Sequence, residues 1–279
     1  MHVIQAVLMG IVQGLSEFLP ISSSGHLVFT SSFYKEIKGL DAIVHSNQEV
    51  FLDIMLHLGT LIAVLIFFRK EILDIIKATY FAIKTRNFSD INSRVGIYVI
   101  LGTIITVLIA YPLNDFAAFL VFKPEYVAIL LILTGMLLLF SEKIAKRICD
   151  KQPITFKRSL LIALAQGLAA LPGLSRSGLT IATALLSGVS REEAAKYSFL
   201  LSIPIILGAS MVYPFVEFNM KEITDYNWTA IIIGTIVSAI VGYYCIKYFI
   251  KFVSKFSLSI FGYYCVIIGT IVLFYFLGR

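Results

Sequence analysis

Six apolar runs, at residues 51–68, 95–113, 126–140, 197–218, 228–250 and 258–277, dominate the chain. The hydrocarbon core of a bilayer takes roughly 20 apolar residues per helical crossing, so these runs read as membrane spans. In lipid only hydrogen bonds within a segment satisfy its backbone, which makes each of them a helix. Composition agrees, because 58% of the 279 residues are hydrophobic and 14% are charged. That is too little polar surface to coat a soluble globule, where about a quarter of residues are charged. The fold class expected is an all-α polytopic membrane protein, and soluble, disordered and fibrous classes are excluded. The net charge of +6 does not point to nucleic acid as a partner, since the cations lie in loops between the apolar runs. There they report topology. Cys149, Cys245 and Cys265 lack metal-ligand spacing and read as packing residues. The N-terminus has no Lys or Arg before Lys35 and carries Glu17 in its apolar stretch. It lacks the basic start of a signal peptide and is expected to belong to the mature protein.

Two further apolar stretches, in 1–34 and 158–188, are interrupted by Pro, Gly and Ser, and each half is too short to cross. They resemble one another. QGLSEFLPISSSGH in the first answers to QGLAALPGLSRSGL in the second: Gln13-Gly14-Leu15 recurs as Gln166-Gly167-Leu168, Leu19-Pro20 as Leu171-Pro172, and Ser24-Gly25 as Ser177-Gly178. Each copy precedes three spans, dividing the chain into repeats at 1–154 and 155–279. If each broken element is re-entrant, three crossings separate the copies, and an odd number inverts the second repeat relative to the first. Alternating the loops then places 17 Lys and Arg residues on one side and five on the other, which marks the first side as cytoplasmic. Both termini would lie outside, and the two broken tips could meet near the midplane. Ala230, Gly234, Ser238 and Gly242 form a small-residue ridge suited to close helix contact.

Ionisable groups in apolar segments are costly and are functional candidates by default. They are Glu17, His26, Asp53, His57 and Arg176, and three of them sit on the repeated tips. In the first tip Pro20 ends one half-helix and Ser22-Ser23-Ser24-Gly25-His26 starts another. The second tip places Ser175, Arg176, Ser177 and Gly178 at an equivalent start, followed by Thr180. Helix N-termini, hydroxyls and a guanidinium together describe an anion pocket suited to phosphate. Glu17 is what such a pocket should repel unless it bridges to the anion through a divalent cation or acts as a general base. His26, three residues after Ser23, would share a face with it and could exchange a proton with its hydroxyl. Gln13, one turn before Glu17, faces the same side. Asp53 and His57, four apart near the outer end of the first span, read as a local hydrogen-bonded pair, with a supporting place around the site as the alternative. An inverted-repeat transporter or flippase for a lipid phosphate or other anion is the competing class. Glu17, Ser23 and His26 on only one tip argue for chemistry instead.

With these residues in view, the chain resembles the bacterial undecaprenyl-diphosphate phosphatase family of the bacitracin-resistance type. Gln13 through His26 matches the family's Glu-or-Gln, three residues, Glu, FLPxSSxGH motif, and Pro172–Gly178 matches PGxSRSG. The stretch AAKYSFLLSIPIILGAS also resembles the family's segment after the second motif. The resemblance implies a multi-pass enzyme of the bacterial cytoplasmic membrane that hydrolyses undecaprenyl diphosphate to the monophosphate carrier of cell-wall synthesis and confers bacitracin resistance. Its site opens on the outer face and uses Mg or Ca. By motif position Ser23 would be the nucleophile, Glu17 the base or metal partner, His26 an assistant, and Arg176 the diphosphate ligand. Gln13, Ser22, Ser24, Gly25, Ser175, Ser177, Gly178 and Thr180 would surround the substrate. The partners implied are the polyprenyl diphosphate and membrane lipid, and a homodimer is an admissible assembly. Gln13 replaces the Glu of many members, which removes one candidate metal ligand, and Leu179 stands where Ala commonly follows the second motif.

Overall fold

The computed structural model describes residues 2–37, 47–146, 152–217 and 225–278. These residues form helices and no strands: α1 (Val3–Ser16), α2 (Ser23–Ile37), α3 (Asn47–Phe67), α4 (Arg69–Thr85), α5 (Ile91–Val121), α6 (Pro124–Ala145), α7 (Phe156–Leu168), α8 (Arg176–Leu186), α9 (Arg191–Glu217), α10 (Trp228–Val253) and α11 (Ser259–Leu277). Cys149 lies outside the described residues.

Helices α3, α5, α6, α9, α10 and α11 are long and apolar enough to cross a membrane. Between 17% and 44% of each spanning segment is buried within the protein. The remainder presents side chains such as Ile104, Leu108, Tyr111, Ile267 and Phe274, each more than half exposed, which only a lipid surround can accommodate. The chain is a multi-pass membrane protein.

All of the spanning helices but α11 outrun the apolar runs that announce them, because polar flanking residues continue the hydrogen-bonded ladder. The run at 95–113 becomes a helix of 31 residues with Pro112 inside it. Its start at Ile91 is set by Asp90, whose carboxylate accepts from the backbone N–H groups of Asn92 and Ser93. One element departs from expectation outright, since the basic segment after the first span is the 17-residue helix α4 rather than a loop. Its apolar residues recur at helical spacing among the cations, the pattern of an amphipathic helix. Thr79 and Ala82 are buried, while Leu73, Ile76, Tyr80 and Phe81 are exposed.

Small residues set the closest contacts. Ala230, Gly234, Ser238 and Gly242 are buried on α10. A Cβ on Gly10 of α1 would meet the Gly234 carbonyl oxygen at 2.5 Å, and one on Gly14 the Ser238 carbonyl oxygen at 2.9 Å. The ridge predicted from sequence is thus the bed on which α1 lies. Gly135 of α6 approaches Gly262 of α11 in the same way, a Cβ there falling 2.6 Å from the carbonyl oxygen. Beneath the tips, Phe18 is fully buried and packs edge-on against Phe199 of α9, with ring centroids 5.3 Å apart. Phe199 in turn meets Phe249 of α10 and Phe68. This aromatic cluster anchors the residues that directly follow Glu17 and Ser198.

Candidate active site

The two helix pairs α1/α2 and α7/α8 bring their turns together. Helix α1 ends at Ser16, before Pro20, with Glu17 as its C-cap, and α2 starts at Ser23 behind Ser22. The Ser22 hydroxyl accepts from the Gly25 backbone N–H at 3.2 Å. The second pair repeats the device, Ser175 Oγ accepting from the Gly178 N–H at 3.0 Å. The turns touch directly: a Cβ on Gly25 would lie 3.4 Å from the Gly173 Cα. Across this contact Ser177 Oγ donates to the Leu19 carbonyl at 3.0 Å. Gly173 adopts φ +97°, in the left-handed region that favours glycine. Thr134 of α6 holds its turn from behind, accepting from the Ser175 N–H and donating to the Gly173 carbonyl.

Ser23 and Arg176 occupy equivalent positions, the first residue of α2 and of α8, and both reach Glu17. Ser23 Oγ donates to Glu17 Oε2 at 2.7 Å, and Arg176 Nη2 donates to Glu17 Oε1 at 2.5 Å. Gln13 Nε2 donates to Glu17 Oε2 at 3.0 Å, so the residue one turn earlier does face the carboxylate. Arg176 Nη1 donates to the Ser198 carbonyl at 3.4 Å. Glu17 is 7% exposed, and burial at that depth calls for compensating donors.

These groups border a cavity of about 420 Å³. Glu17, Ser23, Ser24 and Arg176 line one wall, with Asp53 and His57 on another. Val50, Ile54, Ile205, Ile206 and Ala209 make the rest mostly apolar. A charged end beside apolar walls suits a ligand with an anionic head and a hydrocarbon tail.

Several sequence candidates fall elsewhere. Ser22, Gly25, Ser175, Ser177, Gly178 and Thr180 do not line the cavity; they build the two turns and their supports. Thr180 Oγ1 meets Ser198 Oγ at 2.6 Å, tying α8 to α9. His26 does not face Ser23 as expected. The Ser23 hydroxyl goes to Glu17, while His26 Nδ1 lies 2.8 Å from the Ser22 carbonyl oxygen and Nε2 lies 2.8 Å from the Tyr264 hydroxyl. Asp53 and His57 do form a local hydrogen-bonded pair, between His57 Nδ1 and the Asp53 carbonyl at 2.8 Å. His57 Nε2 then stands 3.7 Å from Glu17 Oε2. The α9 wall falls within the stretch AAKYSFLLSIPIILGAS that the resemblance singles out, whereas the Tyr264 contact carries no signal in the sequence, since a Tyr in a span reads as a lipid-facing or packing residue.

A family model described as "Bacitracin resistance protein BacA" matches residues 6–271. This chain belongs to the BacA family. Proteins named undecaprenyl-diphosphatase are similar to it over nearly their whole length. That of Halothermothrix orenii is 38% identical over 98% of both chains. That of Methanobrevibacter smithii is 41% identical over 98% of this chain and 97% of its own. That of Carboxydothermus hydrogenoformans is 38% identical over the same shares. The BacA match covers both turns and every residue bordering the cavity.

Proposed function

We propose that the chain hydrolyses undecaprenyl diphosphate to undecaprenyl phosphate and inorganic phosphate, returning the lipid carrier to cell-wall synthesis and thereby conferring bacitracin resistance. The observation that carries this is the convergence of Ser23 and Arg176, from two equivalent turns, on the buried carboxylate of Glu17. The relatives' shared name supplies the substrate.

In the reading we favour, Glu17 Oε2 takes the proton of the Ser23 hydroxyl, which it already accepts, as Ser23 Oγ attacks the terminal phosphorus. The Oγ–P bond forms and the bond from phosphorus to the bridging oxygen breaks, releasing undecaprenyl phosphate. Water then displaces the serine oxygen: Glu17 returns its proton to Ser23 Oγ, one hydrogen of the water stays on the departing phosphate and the other is released to solvent. Arg176 stabilises charge spreading over the equatorial oxygens. Gln13 holds the Glu17 carboxylate in place, and Ser24 presents a further hydroxyl to the head group.

A divalent cation, Mg or Ca, fits this site when shared with the substrate. Among the described residues no three His, Cys, Asp or Glu side chains gather into a cage. The two carboxylates bordering the cavity, Glu17 and Asp53, match the way magnesium leans on one or two carboxylates and on substrate phosphates. When bound it would neutralise charge on the diphosphate.

The finer topology belongs to the same proposal: two re-entrant pairs, α1/α2 and α7/α8, in inverted repeats over 1–154 and 155–279. Packing supports it, because α1 lies on α10 while its repeat counterpart α7 lies on α5, the counterpart of α10. The excess of Lys and Arg in one set of loops supports both termini lying outside. The cavity is walled by the first half of α3 and the latter part of α9, their outer ends in that topology, so it opens to the outer face. There a prenyl tail can stay in hydrocarbon while the head enters between α3 and α9.

The test is phosphate release by purified protein from a polyprenyl diphosphate in liposomes, with and without a chelator. The proposal expects release that stops on chelation and resumes with added Mg or Ca. No release under any of these conditions rejects the hydrolase.

A further inference from the structure

The imidazole of His26 lies outside the cavity, and both of its nitrogens are engaged. A carbonyl oxygen only accepts, so the 2.8 Å contact with the Ser22 carbonyl puts the hydrogen on Nδ1. In the neutral ring Nε2 then accepts from the Tyr264 hydroxyl, also at 2.8 Å. The ring lies almost parallel to that of Tyr264 on α11, with centroids 5.7 Å apart and planes 10° from parallel. The backbone N–H of His26 donates to the same Ser22 carbonyl at 3.1 Å.

What this clamp holds is unusual. Ser22 has φ +69°, a left-handed conformation that a residue with a Cβ adopts at a cost. The second repeat provides an internal control. Its cap residue Ser175 has an ordinary φ of −79°, and the position equivalent to His26 is Leu179, which contributes only its backbone N–H to the Ser175 carbonyl. The turn without strain has no imidazole, and the strained turn has one. The strained Ser22 immediately precedes Ser23, whose hydroxyl must reach Glu17.

We infer that His26 is a positioning residue: with Tyr264 behind it, its Nδ1–H pins the Ser22 carbonyl, holds the left-handed turn, and thereby aims the Ser23 hydroxyl at Glu17 and the substrate. It neither gives a proton to the substrate nor takes one from it. The inference rests on the hydrolase reading for Ser23 and adds a role that acts through Ser22.

The experiment compares His26→Ala, His26→Asn, Tyr264→Phe and Ser22→Gly/His26→Ala with wild type, measuring kcat and KM for phosphate release in liposomes and Tm in detergent. An Asn side chain places an N–H near Nδ1 but cannot relay a proton, and glycine adopts positive φ without strain. His26→Ala is expected to lower kcat about 100-fold with KM nearly unchanged, the size of effect a misplaced reacting group brings. His26→Asn should stay within about tenfold of wild type, and Tyr264→Phe should lose about two- to tenfold, one hydrogen bond's worth. Adding Ser22→Gly to His26→Ala should recover kcat and raise Tm. Folded His26→Asn that falls more than tenfold below wild type overturns the inference, as does wild-type kcat in His26→Ala. Should His26→Ala not fold, His26→Asn decides by the same threshold. Wild-type protein that releases no phosphate rejects the hydrolase reading instead. The clamp is then judged on Tm alone, and is rejected if Ser22→Gly does not raise it in the His26→Ala background.

Discussion

Removing Arg176 should separate stability from catalysis at Glu17. In Arg176→Ala, Glu17, at 6% side-chain exposure, keeps Ser23 and Gln13 as donors but loses its only hydrogen-bonded cation among the described residues. Breaking a buried ion pair from one side costs about 3–5 kcal/mol. The two surviving donors place Arg176→Ala near the lower end, about 3 kcal/mol. Glu17→Gln leaves Arg176, which is 17% exposed, facing a neutral amide, for about 1–3 kcal/mol. Independent effects would sum to about 4–6 kcal/mol. The double variant buries no unpaired carboxylate and should stay near 2–3 kcal/mol, a coupling of about 2 kcal/mol within the range for residues in contact. Denaturant unfolding in detergent, followed by helical circular dichroism, gives the cycle, and phosphate release gives the activity. All three variants should lose at least about 100-fold in kcat, the scale of one transition-state donor or general base, although the double variant is no less stable than Arg176→Ala. Additive destabilisation, or activity that recovers with stability in the double variant, refutes the reasoning.

Other consequences are more local. Gly173→Ala should destabilise by more than about 3 kcal/mol, because it combines a positive φ with a Cβ set against the Val127 carbonyl oxygen; unfolding midpoints check this, and a loss below about 1 kcal/mol contradicts the turn geometry. Gly14→Val should loosen α1 from α10, since even one Cβ meets the Ser238 carbonyl oxygen; the expected result is a Tm fall with lower activity, and unchanged Tm would show that the helices can part freely. Ser23→Ala should abolish capture of radiolabelled phosphate on the protein after a quench, while retained label would place the nucleophile elsewhere.

Much of this was legible in the residues. Long apolar runs specify spanning helices whatever they pack against, and Pro, Gly and Ser in two otherwise apolar stretches mark where those helices break. The repeat made Ser23 and Arg176 equivalents, and scarcity of charge made Glu17 conspicuous. What the sequence did not show lies in tertiary directions. The i, i+3 spacing of Ser23 and His26 suggests a shared face, yet the left-handed turn at Ser22 and the pull of Tyr264 from the far end of the chain send the imidazole elsewhere. His57 reads as Asp53's local partner until α3 packs beside α1 and brings its Nε2 to Glu17. Helix α4 is hard to read in the sequence because its cations mask the helical spacing of its apolar residues.

The claim underlying the account is that the cavity around Glu17 severs the terminal phosphate of a polyprenyl diphosphate. Undecaprenyl diphosphate labelled only in that phosphate, given to wild-type and Glu17→Gln protein in proteoliposomes, tests it most directly. The account predicts that wild-type protein frees the label as inorganic phosphate and leaves unlabelled undecaprenyl phosphate, and that folded Glu17→Gln protein does so at least about 100-fold more slowly. Label that stays with the lipid, or equal rates in the two proteins, would contradict it.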